Sequence, residues 1–185
     1  MTNTSILWRR LDQPGHDAAL LTQHANGVTL DGMAVFSESG LPCRLHYVIE
    51  CDAEWRTVSA RVTGLLDTAV VDIAIAADST RAWRFNGRPC PAVQGCDDVD
   101  LSFTPATNLL PIRRIRLAVG QRKDVHAAWL RFPDLTLELL DQVYERVSES
   151  TYRYQSRQGS FVALLETNAT RFVTHYPNLW QRETG

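Results

Sequence analysis

The chain has 185 residues, 44% hydrophobic and 22% charged, with 19 basic against 21 acidic side chains and a formal net charge of −2. That length and balance fit one folded domain spanning 1–185 better than two small ones, large enough to bury roughly 70% of its unfolded surface without disulfides or metal. They exclude a disordered or disulfide-stapled chain, and no nucleic-acid partner is expected because no basic field exists to neutralise phosphates.

No apolar run approaches the ~20 residues of a membrane-spanning helix. The first residues, Met1 to Ser5, carry neither a basic start nor an apolar secretory core, so a cytoplasmic location is expected. The cysteines Cys43, Cys51, Cys90 and Cys96 follow C-x7-C-x38-C-x5-C, which fits no zinc pattern and reads as buried free thiols. No metal or cofactor is expected.

The dominant hydrophobic period is two. In chain order, Asn26-Gly27 turns the chain into a strand over 28–37, with Leu30, Ala34 and Phe36 on one side. Ser39-Gly40-Leu41-Pro42 turns it back into the clearest strand, 43–51. There Cys43, Leu45, Tyr47, Ile49 and Cys51 share one face, and Arg44, His46, Val48 and Glu50 the other. Further strands are expected at 55–64, 69–77, 82–85, 97–104 and 125–131, with an Asn86-Gly87 turn after the strand at 82–85. A meander of 136–148, 151–156, 160–166 and 172–176 closes the chain, broken at Arg157-Gln158-Gly159 and Asn168-Ala169-Thr170. Alternation lapses at 105–117. This spacing predicts an all-β, single-domain antiparallel β-barrel or half-barrel with one short helix or loop insertion near 105–117. Strands 28–37, 69–77 and 160–166 are apolar on both faces in places, Val70, Val71, Ile73 and Ile75 most clearly. Such strands lie in a core or line an apolar cavity.

Chemistry concentrates in 95–111. One strand face there carries Asp98, Asp100, Ser102 and Thr104, and the other Val99, Leu101 and Phe103. Asp98 and Asp100 have Cα atoms roughly 7 Å apart, a spacing that suits two carboxylates sharing a metal or a sugar as well as a solvated strand face, although a hard cation needs more oxygens than these two supply. Thr107 and Asn108 sit in a run of turn formers that caps a helix or presents hydroxyl and amide groups to a ligand. Arg113, Arg114 and Arg116 follow, either as a salt-bridge network with the aspartates or as a clamp on an anionic head. Trp55 and Trp180 read as core, while Trp83 and Trp129 suit either core or stacking on a sugar. There is no nucleophile elbow, zinc-protease helix, phosphate-binding glycine loop or dinucleotide fingerprint. His16, His24, His46, His126 and His175 are scattered, and only a pairing in three dimensions, such as Asp98 with His46, can supply an acid and a base. No catalytic residue is assigned.

Arg84-x-Asn86-Gly87 and then Gly95-Cys96-x-Asp98-Val99-Asp100-Leu101-x-Phe103-Thr104-Pro105-Ala106-Thr107-Asn108-x-Leu110-Pro111 resemble a bacterial family named for glycolipid binding, formerly a domain of unknown function. The likeness extends to Trp8-Arg9-Arg10, to 128–135, to Tyr152-Arg153-Tyr154 and to Tyr176-Pro177-x-Leu179-Trp180, nearly the whole chain. It implies an antiparallel β fold similar to lipoprotein-carrier proteins, with a lipid or glycolipid cavity, and it carries over no catalytic residue. The expectation is a non-catalytic protein that binds a small amphipathic ligand, a glycolipid or lipid, in a barrel cavity. Trp83, Asn86, Asp98, Asp100, Thr107, Asn108, Arg114 and Trp129 are its candidate contacts to the ligand. Two alternatives stand beside it: a sugar or lipid hydrolase or isomerase using Asp98 and Asp100, and an interaction module pairing through an exposed strand edge.

Overall fold

Strict alternation of apolar and polar residues commits most of this chain to strand, and the computed structural model, which describes residues 2–156 and 159–184, contains fifteen of them. They are β1 (Thr2–Arg10), β2 (Gly15–His24), β3 (Gly27–Glu38), β4 (Leu41–Asp52), β5 (Thr57–Leu66), β6 (Ala69–Ala77), β7 (Trp83–Phe85) and β8 (Arg88–Pro89), followed by β9 (Asp98–Leu101). After a short helix, α1 (Leu109–Ile115), come β10 (Arg122–Arg131), β11 (Thr136–Arg146), β12 (Thr151–Ser156), β13 (Phe161–Thr167), β14 (Val173–Tyr176) and β15 (Trp180–Arg182). Arg157 and Gln158, in the expected turn after 156, lie outside the described residues.

All fifteen form one sheet in the order β8-β7-β6-β5-β4-β3-β2-β1-β15-β14-β13-β12-β11-β10-β9. Every pairing is antiparallel except β9 with β10, where the crossover through α1 makes it parallel. The expected barrel or half-barrel is therefore incorrect: the sheet is open, neither closed nor strongly curled. Its two ends cannot meet for a local reason. β8 is two residues long and ends in Pro89, which has no N–H to donate. The free edge of β9 is already occupied, because the Val99 amide donates to Thr57 Oγ1 at 3.0 Å and the Thr57 amide to the Asp97 carbonyl at 2.9 Å.

One face of the sheet is buried. Trp8, Leu21, Leu30, Leu45, Tyr47 and Ile49 lie on it in the first half, and Tyr144, Tyr152 and Leu165 in the second. The segment between β8 and β10 lies over this face, with Phe103 against Phe36 and Tyr47 and with the Trp83 indole N–H donating to the Cys96 carbonyl at 3.0 Å. The insertion expected at 105–117 is a 3-10 turn, Ala106–Asn108, running into α1. That helix buries Leu109, Leu110 and Ile112, tolerates Pro111 in its first turn, and stops where Arg116 turns left-handed at φ 48°. On β3 and β4, Gly32 pairs with Tyr47, whose ring lies so close that a Cβ at Gly32 would stand 2.2 Å from Tyr47 Cζ.

The two-sided apolar strands do not line a lumen. Val71, Ile73 and Ile75 fill the core, whereas Val70 is 79% exposed. Met33, Val35, Val162 and Leu164 are likewise exposed on the outer face. All four cysteines are free thiols; Cys43, Cys51 and Cys96 are buried and Cys90 half-buried. Among the described residues no helix is long and apolar enough to cross a membrane.

Candidate functional site

The polar face of β9 turns inward, onto the second half of the sheet, and its two aspartates take different partners. Asp98 is 1% exposed and accepts both hydrogen bonds of the Arg114 fork, from Nε to Oδ1 at 3.0 Å and from Nη2 to Oδ2 at 2.6 Å. The third Arg114 nitrogen lies 3.1 Å from Asp97. Burial pushes the Asp98 carboxyl up, and the hydrogen bonds and charge of Arg114 oppose it. This is the salt-bridge arm of the arginine run, and it leaves Asp98 no free oxygen. Asp100 instead accepts a hydrogen bond from Gln142 Nε2 at 2.6 Å, a nitrogen that also donates to Tyr154 Oη at 3.1 Å. Burial raises the Asp100 carboxyl to about 6; Gln142 opposes the rise and the Asp98 charge adds to it.

Opposite Asp100, the loop after β9 is held down by a buried carboxylate that the sequence pattern did not single out. Asp17 on β2 accepts hydrogen bonds from Tyr47 Oη at 3.0 Å and from the Thr104 hydroxyl. The Thr104 oxygen in turn accepts from the Ala106 amide at 2.9 Å. That anchor sets Asn108, whose Oδ1 accepts from Tyr144 Oη at 3.0 Å and whose Nδ2 donates to the Pro105 carbonyl at 3.3 Å.

Between these groups lies a cleft of about 230 Å³. Asp100, Ser102, Thr104 and Asn108 form its polar wall. Trp129, Tyr154, Phe161, Tyr176 and Trp180 form the aromatic one. Trp129 reaches it because it pairs with Asp100 across the parallel ladder and so points to the same side. Aromatic faces beside fixed hydrogen-bonding groups suit a ligand with both C–H and hydroxyl surfaces.

Of the eight predicted ligand residues, Asp100, Asn108 and Trp129 meet in this cleft. Thr107 and Arg114 support it from behind: Thr107 Oγ1 accepts from the Leu101 amide at 3.3 Å, and Arg114 holds Asp98. Trp83 is core, 2% exposed. Asn86 is part of a turn, at φ 49°, with its Oδ1 accepting from the Ala74 amide at 2.8 Å. His46 faces outward to Asp31 at 2.9 Å, so it does not meet Asp98. Tyr154 and Tyr176 were missed as site residues, although the alternation of Tyr152 and Tyr154 already placed both on one face of their strand. Among the described residues no three His, Cys, Asp or Glu side chains converge as metal ligands.

Residues 5–182 match a family model described as "Putative glycolipid-binding". The chain belongs to this family. A similar solved structure is that of a DUF1089-family protein from Pseudomonas aeruginosa, at 30% identity and a TM-score of 0.77, covering 99% of this chain and 93% of that one. No curated protein matches the chain. The family match spans β9, the anchored loop and the meander, and so includes every wall of the cleft.

Proposed function

We propose that the protein is a non-catalytic binding protein for the sugar head of a glycolipid, and that the cleft at Asp100, Asn108 and Trp129 is where the head sits. The observation that carries this reading is the opposition of a partly buried carboxylate and amide to five aromatic side chains in one recess. Its volume is below the ~300–1,000 Å³ of pockets that enclose a drug-sized ligand. It therefore suits one ring, with the acyl part outside, leaving across Phe161 and Leu179. An enclosed acyl cavity and a lumen like that of a lipoprotein carrier form no part of this reading, because the open sheet has its buried face filled by side chains. The hydrolase alternative is left with Asp100 alone, since both Asp98 oxygens are taken by Arg114. The edge-pairing alternative meets a short end at β8 and an occupied one at β9, and keeps the outer edge of β6 ahead of Ile75, where β7 does not reach.

The test is calorimetric titration with octyl glucoside held below its micelle concentration, with octanol as the sugar-free control. Saturable binding of the glucoside and not of octanol is expected, weakened about tenfold or more in Asp100→Asn and in Trp129→Ala, since each removes a hydrogen bond or a stacking face. Equal affinity for octanol, or unchanged binding in both variants, overturns the reading.

A further inference from the structure

The arginine run at the end of α1 splits. Arg114 turns to Asp98, while Arg113 and Arg116 border a different recess, where Arg146 from β11 and Arg171 from the turn between β13 and β14 meet them. The recess holds about 270 Å³ and shares no lining residue with the cleft. Three of its four arginines are held in place before any ligand arrives, and Arg116 is exposed at its rim. The Arg113 guanidinium lies 4.7 Å over the Trp55 ring. Arg146 stands beside its cross-strand partner Tyr152 and donates to the carbonyls of Leu117, Ser148 and Glu149, at 2.9, 3.2 and 2.7 Å. Arg171 donates to the Glu149 carbonyl at 2.6 Å.

Among the described residues none of these four forms an ion pair with a carboxylate, whereas Arg56, Arg81 and Arg114 all do. In a chain with more acidic than basic side chains, four converging and uncompensated guanidinium groups are costly. Burial chiefly, with a further contribution from the charges of Arg116 and Arg171, lowers Arg113 below its ordinary range. The carbonyls at the end of α1 account for Arg113 and Arg116 at a helix C-terminus. Arg146 and Arg171, from other elements, are held by the carbonyls of Leu117, Ser148 and Glu149, which position them but leave their charge without a carboxylate to balance it.

We infer that this recess is an anion site for a phosphate group, with Arg113, Arg116, Arg146 and Arg171 on its oxygens and Trp55 and Tyr152 walling the group esterified to it. Phosphate is favoured over carboxylate because a carboxylate offers two oxygens, enough for one planar fork, while forks arriving from three elements match a tetrahedral group. The same chemistry occurs in a soluble phosphate ester and in a phospholipid head. The site stands independently of the sugar reading of the cleft.

The experiment is titration of the whole chain, at fixed ionic strength, with inorganic phosphate and with phosphatidylcholine vesicles lacking or containing phosphatidic acid. Wild type is expected to bind phosphate or the phosphatidic acid vesicles, and not phosphatidylcholine alone. Response to free phosphate only marks a soluble ester; response to the vesicles marks a lipid head. Arg113→Gln combined with Arg116→Gln leaves the backbone contacts of Arg146 and Arg171 in place and is expected to weaken binding about tenfold or more, each lost fork being a charge-assisted hydrogen bond. Arg84→Gln with Arg88→Gln, on exposed residues elsewhere, is expected to change nothing. Absence of binding to both probes, an unaffected Arg113/Arg116 variant, or an equal loss in the Arg84/Arg88 control overturns the assignment. Asp100→Asn is expected to leave phosphate binding intact, so failure here and failure of the cleft reading are separate results.

Discussion

Replacing Asp17 by asparagine separates the charge at the loop anchor from its hydrogen bonds. Asp17 is 0% exposed, and burial raises its carboxyl from 3.8 to about 6 against the hydrogen bonds from Thr104 and Tyr47. In the unfolded chain this group ionises near 3.8, so between about pH 4 and 6 the unfolded state sheds a proton that the folded state keeps. Stability therefore falls as pH rises through that window and is level above it. At about 1.4 kcal/mol per pH unit, the fall across the interval is about 3 kcal/mol. Asp17→Asn has no charge to acquire, and the Tyr47 and Thr104 hydroxyls can rotate to accept from its amide. Urea unfolding from about pH 4 to 8 is expected to show the variant near wild type at the acid end and about 3 kcal/mol more stable at the alkaline end. Asp100 titrates in the same range in both proteins and cancels in the difference. A gap between the two proteins that stays constant with pH, or narrows as pH rises, refutes the argument.

Gly32→Ala is expected to destabilise by about 1–3 kcal/mol in urea, because the new methyl group collides with the fully buried Tyr47 ring and displaces its hydroxyl from Asp17. Arg114→Met leaves Asp98 buried without its partner and is expected to cost about 3–5 kcal/mol, and adding Asp98→Asn is expected to recover most of the loss by removing the stranded charge. A double variant no more stable than Arg114→Met contradicts that reasoning. Asn86→Ala replaces a residue type that tolerates φ 49° with one that does so less readily and removes the bond to the Ala74 amide, so a loss of about 1 kcal/mol is expected, with octyl glucoside affinity unchanged.

Strand positions were legible because period-two alternation needs no knowledge of partners: 69–77 and 151–156 coincide with β6 and β12 to the residue. The lapse at 105–117 likewise marks α1 and the 3-10 turn before it. Closure was not legible, since alternation is the same in an open sheet and a barrel, and the difference rests on Pro89 and on Thr57 capping the edge of β9. β1 and β2 went unread as strands, although Ile6 and Trp8 alternate with exposed neighbours on β1, and Asp17, Ala19 and Leu21 do so on β2. Placing a carboxylate among the buried positions of β2 breaks the hydrophobic code, because Asp17 bonds residues far away in sequence. For the same reason local spacing could place Asp98 and Asp100 on one face but could not tell which of them Arg114 would take.

The strand order also bears on how the protein assembles in time. Along most of the sheet each strand lies beside its sequence neighbour, so the ladder can grow hairpin by hairpin with short loops to close. The junction of β1 and β15 is different: three residue pairs join them, with the Trp8 indole N–H donating across 165 residues to the Val173 carbonyl at 2.6 Å. Closing so long a loop is expected to come late, after the local hairpins have reduced the search. Trp8→Phe is therefore expected to accelerate unfolding while leaving the refolding rate nearly unchanged in stopped-flow urea jumps. The β1–β15 pair would then be the clasp that sets how long the native sheet survives, with little influence on how fast it forms.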